Sequence, residues 1–134
     1  MKRRGLIDTN LIIRFLTQDQ KQQAAIAAKM FGACERDELQ LVLLPAVLAE
    51  CVFVLESFYQ YPRNLIADTL KILITAPGIE IQNEAQQIQA LEFYAATKLH
   101  FVDCMLAATS LAINLPLITF DRKLQKLTHT LPPQ

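Results

Sequence analysis

Short apolar runs alternate along the chain with longer segments in which apolar residues recur at the spacing of an α-helix. The short runs predict strands at residues 4–7, 39–44, 79–81 and 115–119, with a weaker candidate at 128–131. Helical patterns occupy NLIIRFL near the start and then residues 21–34, 45–59, 63–75, 83–98 and 102–114. Strands separated by helices are typical of parallel sheets covered on both faces. We therefore predict an α/β fold, a single three-layer α/β/α sandwich over residues 1–134 with a central parallel sheet of four or five strands.

Length and composition narrow the class of protein. The 134 residues are 52% apolar, which suits one globular domain with a substantial core. Thirteen basic and thirteen acidic side chains cancel, so the chain as a whole exerts no long-range attraction on nucleic acid. A nucleic-acid partner would have to be held by a local basic patch.

Cysteine usage and hydropathy indicate the compartment. Cys34, Cys51 and Cys104 form no C-x-x-C pair and are odd in number, which favours buried reduced thiols over disulfides or a zinc site. The start, MKRRGLIDTNLII, carries the charges of a signal peptide, but polar residues interrupt its apolar part. No run approaches the roughly 20 apolar residues of a membrane helix. We expect a cytoplasmic protein that does not associate with membranes.

Two acidic residues follow predicted strands. Asp8 comes after the first strand and Asp121 after the fourth, and ligand sites of parallel sheets form at these carboxyl ends. Asp is also a favoured helix N-cap, so each residue alone has a purely structural explanation. Two acids at equivalent strand ends weaken that explanation and favour a shared site.

Two further acids lie inside predicted helices among apolar neighbours. Glu50 and Asp103 have apolar side chains three and four residues away, with His100 as the one exception, so we predict that they point along buried faces. No Lys or Arg occupies those positions, although a salt bridge from elsewhere in the chain stays open. Glu56 is a candidate fifth member, because it too has apolar neighbours.

Four carboxylates without cations would repel one another and raise each other's pKa values. A divalent cation removes this conflict, and oxygen ligands without Cys or His favour Mg²⁺, with Mn²⁺ as a substitute, over zinc. Such a site supports phosphodiester hydrolysis, because the metal polarises the phosphoryl oxygen and lowers the pKa of a bound water.

These residues give the chain a resemblance to PIN-domain ribonucleases, and more narrowly to VapC-type toxins of toxin–antitoxin pairs. The matching segments are LIDTNLIIRFL, AVLAECVFVLE and FVDCMLAATSLAINLPLITFD, in that order. The resemblance implies a Mg²⁺-dependent endoribonuclease that is neutralised by a cognate antitoxin. Its acidic quartet falls on the four acids named above: Asp8, Glu50, Asp103 and Asp121.

The resemblance also implies a role for each member of the quartet. Asp8 and Asp103 would bind Mg²⁺ most directly, Asp121 would help directly or through water, and Glu50 would orient or deprotonate the attacking water. Supporting positions beside these acids fall on Thr9 and Asn10 of the DTN motif and on Thr119 of the TFD motif. One departure is visible: many relatives carry Ser or Thr before the motif glutamate, where this chain has Leu48-Ala49.

Cations near the predicted site are candidates for holding RNA phosphates. Arg122 and Lys123 follow Asp121, and Arg14 lies in the helix after Asp8, although solvated surface positions explain them equally well. We expect Lys2, Arg3 and Arg4 at the opposite edge of the sheet, because they precede the first strand. His100 and His129 lack a neighbouring acid or nucleophile, so we expect neither to be catalytic.

Other functions stay open at this point. A PIN nuclease of housekeeping RNA processing would have no antitoxin. A receiver-like signalling domain expects paired acids after the first strand, and a haloacid-dehalogenase-like phosphatase expects Asp at the position of Asn10. Apolar residues of the first two helices could form a homodimer or antitoxin groove, or pack into the core: Ile13, Phe15, Ile26 and Met30.

Overall fold

The computed structural model describes residues 2–128 and the backbone of residues 130–131. Its strands are β1 (Arg3–Leu6), β2 (Leu39–Leu43), β3 (Ile79–Ile81), β4 (Leu117–Ile118) and β5 (Thr130–Leu131). Its helices are α1 (Thr9–Thr17), α2 (Lys21–Glu35), α3 (Pro45–Ser57), α4 (Arg63–Ile74), α5 (Glu84–Ala96), α6 (Phe101–Ile113) and α7 (Arg122–Gln125). All five predicted strands are present, and the α/β fold class is confirmed.

The strands are parallel, as predicted, but their hydrogen bonds form two sheets. One sheet has the order β1-β2-β3, and β4 pairs with β5 in the other. We predicted one central sheet of four or five strands, so the grouping of the strands differs from the prediction. β4 is only two residues long, against a prediction of 115–119, and Pro116 immediately before it has no amide hydrogen to donate to a ladder.

The amino end of the three-stranded sheet is charged and lies away from Asp8. The Lys2 ammonium lies 2.6 Å from the carboxylate of Asp37, which lies two residues before β2 begins. Arg4 pairs with Glu80 of β3. Lys2 therefore lies at the amino edge of the sheet, opposite Asp8, as predicted, whereas Arg3 and Arg4 lie inside β1 and do not precede it.

The core lies between the sheet and the helices that follow its strands. β2 alternates buried and half-buried residues, and α3 begins directly after it because Pro45 suits the first helical turn. The core-facing residues of α3 are Leu48, Cys51, Val52 and Leu55. α3 packs against both α1 and α6, which brings the helices carrying the predicted acids together.

The apolar residues considered for an interface divide into two groups. Ile13 is 2% exposed and the Phe15 ring lies 4.4 Å from the Phe31 ring, so both belong to the core. Ile26 and Met30 on α2 are 56% and 37% exposed. The core explanation therefore holds for the first pair, whereas the second pair stays available to a partner.

Candidate active site

Asp8 lies between β1 and α1, at the carboxyl end of the first strand. The amide of Ile7 donates to the Val42 carbonyl at 3.0 Å, so the strand pairing extends to the residue before Asp8. Asp8 is the N-cap of α1, and its Oδ1 accepts a hydrogen bond from the Leu11 amide at 3.2 Å. Its Oδ2 accepts none from the residues that the structure describes. Capping therefore leaves one carboxylate oxygen for a ligand.

Glu50 is exposed, so the prediction that it points along a buried face was wrong. The reason is that α3 is apolar on nearly all sides, and some of its apolar residues are themselves solvent-facing. Phe53, three residues from Glu50, is 67% exposed. Among the described residues, Glu50 has no hydrogen-bond donor or cation within contact, which agrees with the absence of a partner in its own helix.

Asp103 lies in the first turn of α6 and is half-buried, closer to the predicted environment than Glu50. No ion pair or side-chain hydrogen bond to Asp103 occurs within residues 2–128. A carboxylate in the first helical turn is favoured by the helix dipole. The helix dipole stabilises the Asp103 carboxylate without a cation partner, so its oxygens stay available for a ligand.

The buried thiol of Cys51 is affected by the charges of two of these acids. Burial, then the negative charge of Glu50 and then that of Asp8 raise the Cys51 pKa to about 12. Glu50 directly precedes Cys51 in the chain, whereas Asp8 acts from the N-cap of α1, which packs against α3. Cys51, Cys34 and Cys104 are all buried and free, as predicted.

Asp121 is the N-cap of the short helix α7. Its Oδ1 accepts hydrogen bonds from the amides of Lys123 at 2.9 Å and Leu124 at 3.0 Å. Thr119 supports this turn, because its hydroxyl oxygen accepts from the Asp121 amide at 3.0 Å. The capping explanation for Asp121 is thus satisfied geometrically. Thr119 contacts the backbone of Asp121 and not its carboxylate, so its support of the acid stays a prediction.

The two other supporting positions lie beside Asp8. Thr9 is 8% exposed, whereas Asn10 is exposed and lines a cavity of about 480 Å³ together with Asp8. Arg14, Ile26 and Met30 lie on the wall of the same cavity. Asp8 therefore faces an open space large enough for a ligand.

Arg14 is already engaged by protein groups. Its guanidinium donates to Asp19 at 3.2 Å, Gln23 at 3.0 Å and the Tyr59 hydroxyl at 3.3 Å. The Asp19 pKa is lowered, mainly by the Tyr59 hydroxyl that donates to it, with Thr17 and Arg14 contributing further. Arg14 is thus part of a polar cluster, which favours the structural explanation over a phosphate contact.

Glu56, considered as a fifth acid, has a cation partner. Arg63 donates to its Oε1 at 3.3 Å, and the Tyr94 hydroxyl donates to the same oxygen. The Arg63 guanidinium also lies 3.7 Å from the centre of the Tyr94 ring. Sequence reasoning missed Arg63, because helical spacing reveals only partners three or four residues away. His100 is exposed at the start of α6, and His129 lies outside the described residues.

The described part of the chain contains no group of three or more His, Cys, Asp or Glu side chains placed to hold a metal ion. The quartet therefore stays a prediction as a set. The donor chemistry nevertheless suits a hard divalent cation, because the candidate ligands are carboxylates that lack protein cations.

Parallel strands, covering helices and an acid at a strand end define an α/β protein with a candidate ligand site at the carboxyl end of its sheet. The chain belongs to the PIN domain family, which matches residues 5–129. PIN domains are generally nucleases and generally use divalent metal ions. A comparison with curated proteins finds none that matches this chain. Within the described residues, no helix combines the length and apolar character needed to cross a membrane.

Proposed function

We propose that the protein is a Mg²⁺-dependent endoribonuclease that acts as the toxin of a type II toxin–antitoxin pair. The observation that carries the nuclease part is the position of Asp8. It follows a sheet strand of a PIN domain, keeps one carboxylate oxygen free of hydrogen bonds from the described residues and lines a cavity of about 480 Å³. These are the properties expected of a metal ligand at a strand end.

Each acid has a distinct role in the proposed reaction. Asp8 and Asp103 would hold Mg²⁺ or Mn²⁺, with Asp121 assisting. When bound, the metal supplies stabilisation of the negative charge that develops during phosphodiester hydrolysis. Glu50, exposed and without a cation partner in the described region, would accept the proton of the attacking water. Thr9, Asn10 and Thr119 would orient the neighbouring acids.

Arg122 and Lys123 are the better-supported phosphate contacts. Both are exposed, both immediately follow Asp121, and neither forms an ion pair with another described residue. Arg14 would contribute only if its bonds to Asp19, Gln23 and Tyr59 were broken. The proposed RNA path therefore passes the start of α7.

The toxin role, the cytoplasmic location, a cognate antitoxin and a homodimer rest on the VapC resemblance. The exposed Ile26 and Met30 of α2 support a protein partner at this surface. The alternative is a PIN nuclease of housekeeping RNA processing without an antitoxin. Induced expression of the chain in cells separates the two functions. A toxin should arrest growth, and co-expression of the product of a small adjacent reading frame should restore it.

The nuclease is tested by incubating the purified chain with end-labelled tRNA and rRNA in Mg²⁺ or Mn²⁺. EDTA and Asp8→Asn should both abolish cleavage. Asp68→Asn is the matched control, because Asp68 is exposed on α4 and is not a member of the quartet. Cleavage that survives EDTA or Asp8→Asn would contradict the proposed site.

A further inference from the structure

A second concave surface lies between α3 and α6, beside the proposed catalytic acids. This cleft has a volume of about 260 Å³. Phe53, Glu56 and Ser57 of α3 line one wall, and His100, Phe101 and Val102 at the start of α6 line the other. We call it the α3–α6 cleft.

The cleft and the proposed active site share the same two helices. Phe53 follows Glu50 by three residues on α3, so both lie on neighbouring turns of one helix side. On α6, Val102 directly precedes Asp103, and His100, the N-cap of the helix, lies three residues before it. A polymer whose phosphate lies between Glu50 and Asp103 would therefore carry its next group into the cleft.

The cleft exposes apolar surface suited to stacking. The Phe53 side chain is 67% exposed and Val102 is 57% exposed. Single-stranded RNA is commonly held by stacking its bases on exposed aromatic rings. Phe53 offers such a ring, and the imidazole of the exposed His100 is a second flat surface in the same cleft.

The charged group of the cleft is the Glu56 carboxylate, with one oxygen available, and the Ser57 hydroxyl and His100 imidazole are also on its lining. Oε1 of Glu56 accepts hydrogen bonds from Arg63 and Tyr94, which fix the carboxylate in place. Oε2 accepts no hydrogen bond from any described residue. No Lys or Arg is among the lining residues, so the cleft is unsuited to a phosphate. A carboxylate oxygen instead accepts the amino group of a base, as it does from cytosine.

We propose that the α3–α6 cleft binds one nucleobase of the RNA substrate, next to the cleaved phosphate. The base stacks on Phe53, and its exocyclic amino group donates to Oε2 of Glu56. Cytosine and adenine are thereby preferred over uracil, which has no amino group. This inference rests on the proposed ribonuclease function and adds to it a determinant of base preference.

The test measures binding by a chain that cannot cleave. Fluorescence anisotropy with Asp8→Asn protein would compare labelled eight-nucleotide oligomers of cytidine, adenosine and uridine. We expect uridine to bind weakest. Adding Phe53→Ala should weaken binding of all three about tenfold, because stacking tolerates any base. Adding Glu56→Gln should bring cytidine close to uridine while uridine changes little.

Controls separate this inference from its alternatives. Ile72→Ala is the matched control, because Ile72 is 72% exposed on α4 and lies outside the cleft. Thermal melting verifies that each variant is folded. If wild type cleaves RNA but Phe53→Ala and Glu56→Gln bind and discriminate like the Ile72 control, the cleft is not a base site. If Phe53→Ala changes only the oligomeric state, the cleft is a subunit interface. If the wild-type chain neither cleaves nor binds RNA, the proposed function itself fails.

Discussion

At Asp8, a helix cap and a proposed metal ligand coincide in one side chain. The two explanations that the sequence left open are compatible, because Oδ1 caps α1 while Oδ2 stays free of bonds from the described residues. Asn caps a helix about as well as Asp, whereas Ala does not. Substitution at this position can therefore separate the two roles.

We expect Asp8→Asn to abolish cleavage while changing the free energy of unfolding little. Asp8→Ala should abolish cleavage and also destabilise the protein by about 1 kcal/mol, because the Leu11 amide loses its acceptor. Urea unfolding of both variants, beside the cleavage assay, checks this. Equal destabilisation by Asn and Ala would show that the cap contributes nothing.

The site could be predicted only as far as local spacing reaches. Asp8 and Asp121 were recognisable because acids after strands are visible in the sequence. Glu50 was wrongly placed on a buried face, since α3 carries more apolar residues than its core contacts need, and Phe53 is among the exposed ones. The partners of Glu56 could not be predicted, because Arg63 and Tyr94 come from other helices.

Among the helices, Arg63 joins three that are separate in sequence. It lies on α4, contacts Glu56 of α3, and donates to the Tyr94 carbonyl of α5 at 3.0 Å. It also donates to the Leu99 carbonyl, just before α6 begins. This guanidinium therefore helps to hold the loop that leads to Asp103, together with the Thr97 hydroxyl, which accepts from the Leu99 amide.

We expect Arg63→Met to destabilise the protein by about 2–3 kcal/mol, because two backbone carbonyls lose their side-chain donor and Glu56 loses one of its two donors. Arg36→Met is the matched control. Arg36 also pairs with a carboxylate, that of Glu38, but both side chains are exposed, so its loss should cost less than about 0.5 kcal/mol. Denaturant unfolding of the two variants makes the comparison, and equal losses would contradict the structural role of Arg63.

The turn before β3 depends on Gly78. Its φ is +78°, and a Cβ there would lie 2.6 Å from the Cβ of Cys34 and 2.9 Å from the Leu39 carbonyl oxygen. We expect Gly78→Ala to cost about 3 kcal/mol through strain and overlap. Gly5→Ala should cost little, because nothing lies within 4 Å of a Cβ at Gly5. Thermal denaturation of the two variants tests this prediction, and similar melting temperatures would show that residue 78 need not be glycine.

The helices and strands could be predicted from the periodic spacing of apolar residues, whereas the pairing of the strands could not. Each predicted strand and each predicted long helix is present within a few residues of its expected bounds. The division into two sheets was not predictable, because pairing between strands far apart in the chain leaves no trace in hydrophobic spacing. α7 was also missed, since four residues are too few for a helical period to show.

For the molecule as a whole, a net charge of zero limits how RNA can be held. Without a long-range attraction, phosphate binding depends on nearby cations that lack a carboxylate partner. Several of the basic residues are neutralised locally: Lys2, Arg4, Arg14, Arg36, Arg63 and Lys71 all pair with acids. Arg122 and Lys123 have no such pair in the described part of the chain, and they follow Asp121 directly.

This distribution of paired and unpaired cations predicts that RNA affinity depends only weakly on salt concentration. Arg122 and Lys123 should account for most of that dependence. Each phosphate contact on single-stranded nucleic acid contributes a slope of about −0.7 to log K against log salt concentration. Replacing Arg122 and Lys123 by Gln together should therefore reduce the slope by about 1.4. Arg14→Gln should leave it unchanged, because Arg14 is engaged by Asp19. Anisotropy titrations of Asp8→Asn protein across a salt series measure all three slopes. A reduced slope for Arg14→Gln would mean that RNA displaces Asp19 and draws Arg14 into the binding site after all.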